Sequence, residues 1–240
     1  MISKAEIKRI RALSAKKQRE EAGLFVVEGE KMVAEALASS LEVVSVYRTS
    51  DIGEEVMRQI SSLSSPSPAL AVVRIPEAPS ESEIDSIIAS RPLALALDSV
   101  RDPGNLGTII RIADWFGIDA VFASEDTVEL YNPKTVQATM GAIFRKKIIY
   151  CNLPSVLERF TAAGMPVYGT FLDGEDIYGV DLQQSGLVVM GSESFGIGAE
   201  CASRVTHRLL IPPYPRGSVT SESLNVAVAT AITCALFRRG

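Results

Sequence analysis

The residues best equipped for chemistry cluster in one short stretch, Leu97-Asp98-Ser99-Val100-Arg101-Asp102-Pro103-Gly104-Asn105-Leu106-Gly107-Thr108-Ile109-Ile110-Arg111. It opens as an apolar strand, Leu93 to Leu97, and closes as an amphipathic helix, Leu106 to Phe116, with a Gly- and Pro-bearing turn between. A strand that turns directly into a helix offers free N–H groups and a positive dipole end at the C-terminal edge of a sheet. In α/β proteins that edge is where ligands bind. Asn105 sits in the turn, where its amide can orient a partner or serve turn and cap chemistry. Arg111, six residues on, lies among Ile109, Ile110, Ile112 and Ala113. A guanidinium there is either a phosphate contact or half of an ion pair, most simply with Glu193. Glu193 itself follows the apolar run Leu187-Val188-Val189-Met190, which makes it a cap acid or a site acid. Near the C terminus, Ser223 precedes an apolar helix, as an N-cap does, and Asn225 follows two residues later.

The elements that must position these residues alternate along the second half of the chain. Strands are expected at 93–97, 120–123, 147–151, 167–171, 187–190 and 208–211. Helices are expected at 106–116, 133–143, 154–163, near 198–204 and at 224–239. Continuous apolar strands of this kind belong to a buried parallel sheet, so the pattern predicts a doubly wound α/β domain over 92–240. Residues 1–76 read as a smaller α/β unit. It has a basic helix over about 4–20, strands near 24–27, 41–47 and 69–75, and helices over 31–38 and 51–63. The Pro- and Ser-bearing stretch 77–91, with one short helix near 83–90, reads as a linker.

Three segments in order resemble one family. Asp102-Pro103-Gly104-Asn105-Leu106-Gly107 with Arg111 resembles motif 1 of the SpoU (TrmH-type) RNA ribose 2′-O-methyltransferases. Gly191-Ser192-Glu193-Ser194-Phe195-Gly196 resembles motif 2. Ile211-Pro212 followed by Ser223-Leu224-Asn225-Val226-Ala227-Val228-Ala229 resembles motif 3. Two departures stand out: Ser194 replaces the glycine most members carry after the Glu, and the 211–225 loop is longer and Pro-rich. The resemblance implies a SPOUT domain with a deep trefoil knot, S-adenosylmethionine as methyl donor, a structured RNA (rRNA or tRNA) as substrate, and a homodimer. It implies Arg111, Asn105, Glu193, Ser223 and Asn225 as the catalytic set. It further implies that Thr170, Gly191, Gly196, Ile211 and Leu224 hold the donor, largely through backbone groups. In such a site Arg111, still charged, would pair with the RNA phosphate and steady the developing 2′-oxyanion. The first domain is similar to an RNA-docking fold of ribosomal-protein type.

Bulk properties fit this reading. The chain has 240 residues, 47% hydrophobic and 22% charged, with net charge −5. Residues 1–20 carry seven basic against two acidic side chains, so a basic end sits on an acidic body. Lys8, Arg9, Lys16, Lys17 and Arg19 are the expected RNA contacts there. No run is apolar enough to span a bilayer, and residues 1–19 have no secretory h-region, so a cytoplasmic protein is expected. Cys151, Cys201 and Cys234 are too far apart for a metal or disulfide framework and are expected as buried thiols. The lone His207 is expected to be structural. Two other classes compete: a catalytically silent RNA-binding protein of the same fold, and a nucleotide-dependent oxidoreductase. The latter lacks the Gly-x-Gly-x-x-Gly fingerprint.

Overall fold

The computed structural model describes residues 2–219 and 221–239. They form two compact units, one made of the N-terminal residues through Glu77 together with Glu129–Arg145, the other of Ala78–Val128 with the chain from Lys146 onward.

In the first unit the basic helix expected over 4–20 is two helices, α1 (Lys4–Ala12) and α2 (Lys16–Ala22). Arg19 explains the break. Its guanidinium, 2% exposed, takes the carbonyls of Leu13 and Ser14 at 2.7 and 2.8 Å, acceptors that an unbroken helix would give to its own amides. Gly23 then ends α2 in the left-handed conformation (φ 62). Strand β1 (Leu24–Glu28), α3 (Glu30–Ala38), β2 (Val43–Arg48), α4 (Thr49–Ile52), α5 (Glu54–Ile60) and β3 (Ala69–Arg74) follow. Gly53, at φ 82, divides what the sequence reads as one helix over 51–63. The sheet is antiparallel in the order β1-β3-β2. Its core packs Leu70 and Val72 of β3 against Ile10, Leu13, Met57 and Ile60.

The second unit begins with α6 (Glu81–Ala89), closed at its start by a Ser80–Glu83 capping box. Its Ile84 and Ile88 enter the main core. This part of the stretch read as a linker is therefore a structural layer of the sheet. Then come β4 (Leu93–Leu97), α7 (Pro103–Trp115) and β5 (Ala120–Ala123). Helix α8 (Pro133–Thr139) belongs to the first unit. It stops at Met140 and Gly141, both with positive φ (49 and 95), short of the expected 143. The chain continues with β6 (Ile148–Tyr150), α9 (Leu153–Ala162), β7 (Val167–Asp176), β8 (Gly186–Met190), α10 (Ala199–Ala202), β9 (His207–Leu210) and α11 (Val226–Phe237).

All six strands of this unit pair in parallel, in the order β6-β5-β4-β8-β7-β9. One sheet face is covered by α6, α9 and α10, with Phe160 of α9 packed edge to face on Phe122 of β5. Helices α7 and α11 pack on each other, and Phe237 of α11 meets Tyr168 of β7 edge to face at 4.9 Å. Every residue of β4 and β8 is buried. Each large aliphatic side chain so placed contributes about 1.5–3 kcal/mol. Register matters most for function. Leu97 pairs with Met190, and Thr170 with Leu209, so the segments leaving β4, β8 and β9 emerge at one edge of the sheet. No helix among the described residues is long and apolar enough to cross a membrane.

Candidate active site

The turn after β4 is fixed by carboxylates. Asp102 caps α7, accepting the Asn105 amide at 2.8 Å, and Pro103 takes the first helical position. The helix thus starts three residues earlier than the apolar pattern indicates, and Asn105 lies in its first turn. Asp98, 9% exposed at the end of β4, accepts the Gly198 amide at 2.7 Å and the Ser99 hydroxyl at 3.1 Å. That bond anchors the far end of the loop leaving β8. The near end is a tight turn in which Ser192 and Gly196 exchange backbone bonds of 2.9 and 3.0 Å. Gly191 permits it, because a Cβ there would lie 2.1 Å from the Gly196 carbonyl carbon. Asp98 and Asp102 lie in the motif 1 stretch, but the sequence pattern assigns neither a role. A carboxylate directly after a wholly apolar strand, and an Asp-Pro pair, are the signals that mark them.

This turn brings Glu193 to Asn105. The Asn105 side-chain amide donates to Glu193 Oε1 at 2.7 Å, and its oxygen accepts from the Asn225 Nδ2 at 2.9 Å. The Asn225 oxygen in turn caps α11, accepting from Ala227 and Val228 at 3.0 and 3.2 Å. Three distant segments therefore meet in one hydrogen-bonded chain, Glu193–Asn105–Asn225. Asn225, not Ser223, is the cap of the last helix, which begins at Val226. Arg111 stands apart from this chain. Six residues from Asn105 correspond to about 240° of helical rotation, so it points from another side of α7. It is exposed and pairs with no described residue. The expected ion pair with Glu193 does not form: that carboxylate meets Asn105, while Arg111 leaves α7 on another side.

Beside the chain opens a cavity of about 490 Å³, within the roughly 300–1,000 Å³ of small-molecule sites. Thr170, Gly191, Gly196, Ile211 and Leu224, all five expected donor-binding residues, line it, as do Glu193 and Ser223. Its walls combine apolar groups (Met190, Leu210, Val226) with two carboxylates, Glu193 and Glu222. Apolar walls suit an adenosine, and carboxylates suit a cationic sulfonium and ammonium, so the lining fits S-adenosylmethionine. Phe171 on the same wall is held under the Arg208 guanidinium, 3.4 Å from its ring centre, and Arg208 is paired with Asp173 at 2.5 Å.

The basic N-terminal residues divide. Lys8 is exposed and has no ion-pair partner among the described residues. Arg9 pairs with Glu6 at 2.7 Å, and Lys16 and Lys17 lie 3.6 and 3.8 Å from Glu20 and Glu21. Arg19 is a correction to the expected RNA contacts. Its Nε and Nη2 clasp Glu129 at 3.0 and 2.6 Å, its Nη1 holds two carbonyls, and it is buried. A guanidinium with its donors spent inside the protein is a structural tie. His207 stacks on Tyr168 at 5.0 Å and contacts the Thr206 hydroxyl. Burial pushes all three thiols up, Cys151 to about 11 and Cys234 to about 12. Cys201 reaches about 12 through burial and then the neighbouring Asp98 carboxylate.

Residues 92–235 match the SpoU rRNA methylase family, and residues 4–65 match the MRM3-like substrate binding domain. The chain belongs to the SpoU rRNA methylase family. Relatives extend over nearly its whole length. The 23S rRNA (guanosine(2553)-2′-O)-methyltransferase RlmP of Bacillus subtilis is 31% identical over 95% of this chain and 93% of that protein. An RNA methyltransferase of the TrmH family from Porphyromonas gingivalis is 36% identical, with TM-score 0.84 and coverage of 100% and 99% of the two chains. The AdoMet-bound rRNA methyltransferase of Sinorhizobium meliloti is 30% identical, with TM-score 0.85 and coverage of 100% and 97%. For this SpoU methylase the oxidoreductase reading falls away, and the six-stranded parallel unit is the SPOUT methyltransferase domain.

Proposed function

We propose that this SpoU methylase acts on a ribose 2′-hydroxyl of 23S rRNA, with guanosine as the nucleoside named in its relatives, and that Asn105, Arg111, Glu193, Ser223 and Asn225 carry the reaction. The protein is an S-adenosylmethionine-dependent RNA ribose 2′-O-methyltransferase. The observation that carries the residue assignment is the Glu193–Asn105–Asn225 chain at the edge of a cavity lined by all five donor-binding residues.

S-adenosylmethionine supplies an electrophilic methyl on a good leaving group. What remains for the protein is to orient a poor nucleophile and relieve it of its proton. Glu193 is the acceptor in reach, and Asn105 fixes one of its oxygens so that the other faces the substrate. Arg111, exposed on another side of α7 and paired with no described residue, is assigned to the RNA phosphate and, where the bound RNA brings the ribose to it, to the charge that develops on the 2′-oxygen. The backbone of Gly191, Gly196, Ile211 and Leu224, with the Thr170 hydroxyl, holds the adenosine part. The deep trefoil knot goes with this reading, supported by loops from β8 and β9 that line one cavity while α11 packs back on α7.

The first unit is the RNA-docking domain in this reading, with Lys8, Arg9, Lys16 and Lys17 as its contacts, supported by the match over 4–65. A cytoplasmic homodimer completes it. Leu224, just before α11, and Val228 in its first turn are about half exposed, apolar side chains that a second copy would cover. The test has two steps. S-adenosylmethionine must raise the thermal midpoint, since it binds the folded state. Arg111→Lys must then lose methyl transfer to 23S rRNA transcript while keeping RNA binding. Full turnover by Arg111→Lys sinks its assigned role, and a midpoint that ignores saturating donor favours a silent RNA-binding protein.

A further inference from the structure

Phe195 is an aromatic residue that the packing of the fold does not account for. It is 85% exposed, although it lines the same cavity as Glu193. It belongs to no hydrophobic cluster and makes no ring contact among the described residues. Its backbone is nonetheless held firmly. Its amide donates to the Ser192 hydroxyl at 3.1 Å, the Ser192–Gly196 pair closes the turn beneath it, and Asp98 anchors the loop beyond it at Gly198. The turn that presents Glu193 to Asn105 therefore also presents a bare aromatic ring, two residues away, on a fixed support.

We propose that Phe195 is the stacking platform for a base of the RNA substrate, that of the target nucleotide or its immediate neighbour. The inference rests on the ribose-methylation reading. For a 2′-hydroxyl to reach a cavity edge its nucleotide must leave the helical stack. Single-stranded bases so released are recognised on aromatic side chains. A rigid ring with two torsions loses little entropy on stacking, and every base offers it a π-face. Serine in place of the usual glycine at 194 restricts the backbone just before the ring, which favours a fixed platform over a mobile loop.

The test compares Phe195→Ala and Phe195→Trp with wild type, using methyl transfer from labelled S-adenosylmethionine to 23S rRNA transcript. Donor affinity is measured separately by calorimetry. Phe195→Ala is expected to raise KM for RNA about 5- to 100-fold, the fold-change that one base stack is worth, with kcat and donor affinity kept. Phe195→Trp is expected to restore it. Independently of turnover, the extra emission of Phe195→Trp over wild type is expected to be quenched by a single-stranded oligoadenylate and left alone by duplex RNA. An unchanged KM, a loss of donor affinity instead, or emission indifferent to RNA overturns the proposal. Donor loss would make Phe195 a wall of the donor site. Wild type that fails to methylate the transcript refutes the 23S assignment, while the quenching arm still decides for or against stacking.

Discussion

Replacing Asn105 by Asp tests the central geometry with almost no change of shape. The substitution keeps the oxygen that accepts from Asn225 and the backbone amide that Asp102 caps. Only the donor facing Glu193 is lost, and a negative oxygen takes its place. A hydrogen bond to a charged group contributes about 1.5–3 kcal/mol. Two like charges 4 Å apart cost about 1 kcal/mol in water and about 4 kcal/mol at an effective dielectric of 20. Asn105 is half-buried and Glu193 exposed, which selects the lower end of both ranges, and Glu193 can relieve part of the repulsion by swinging outward. We expect Asn105→Asp to lose about 2–3 kcal/mol and about 5–10 °C in thermal midpoint at low salt. Asn105→Ala, which removes the bonds without adding repulsion, should lose about 1–2 kcal/mol. The gap between the two variants should narrow in 0.5 M salt, because screening acts on the repulsion alone. Calorimetry at two ionic strengths reads the stability. Single-turnover methylation should fall in both variants, and further in the Asp variant, since Glu193 is driven from its place. An Asp variant as stable as wild type at low salt would refute the chain Glu193–Asn105–Asn225.

Three other perturbations separate structural from functional roles. Arg19→Ala leaves Glu129 and two carbonyls without their partner, at a cost of about 3–5 kcal/mol, so far-UV melting of the N-terminal unit should drop on the order of 10 °C; unaltered melting with weakened RNA binding would restore it as an RNA contact. Lys8→Ala should leave melting unchanged, weaken RNA binding and reduce the salt slope of binding by about one unit, whereas a constant slope would remove it from the interface. The thiols should ignore Ellman's reagent at pH 8 until the protein is denatured. Because Cys201 and Cys234 keep their protons to about 12 when folded, and ionise near 9 when unfolded, the unfolded chain sheds protons first as pH rises. Stability present below pH 9 is thus lost progressively above it, and denaturant midpoints that hold steady from pH 8 to pH 10.5 would contradict this.

The motif residues and the elements carrying them were legible in sequence because both are local. Alternation of apolar strands and helices marks a buried parallel sheet, and strands 93–97 and 120–123 fall where the pattern puts them. The errors share a cause as well. The apolar pattern starts α7 three residues late because Asp102, Pro103 and Gly104 look like a loop until the cap is recognised. Ser223 and Asn225 are both acceptable caps, and sequence has no means of choosing between two cap-forming residues two positions apart.

Pattern and composition determined which residue types were present, which faces of the helices and strands are apolar, and that three motifs stand in order along the chain. Only the tertiary structure decided how they meet. Asn105 finds Glu193 across 88 residues and Asn225 across 120, through strand register that no local pattern encodes. The segment Glu129–Arg145 packs with the N-terminal unit although it lies between two strands of the other sheet. Arg19, one of seven basic residues in a basic stretch, goes inward because Glu129 meets it there. Local periodicity fixes what each face can bury. Which faces meet, and which polar groups are left to one another when they do, is settled by the packing of the whole chain.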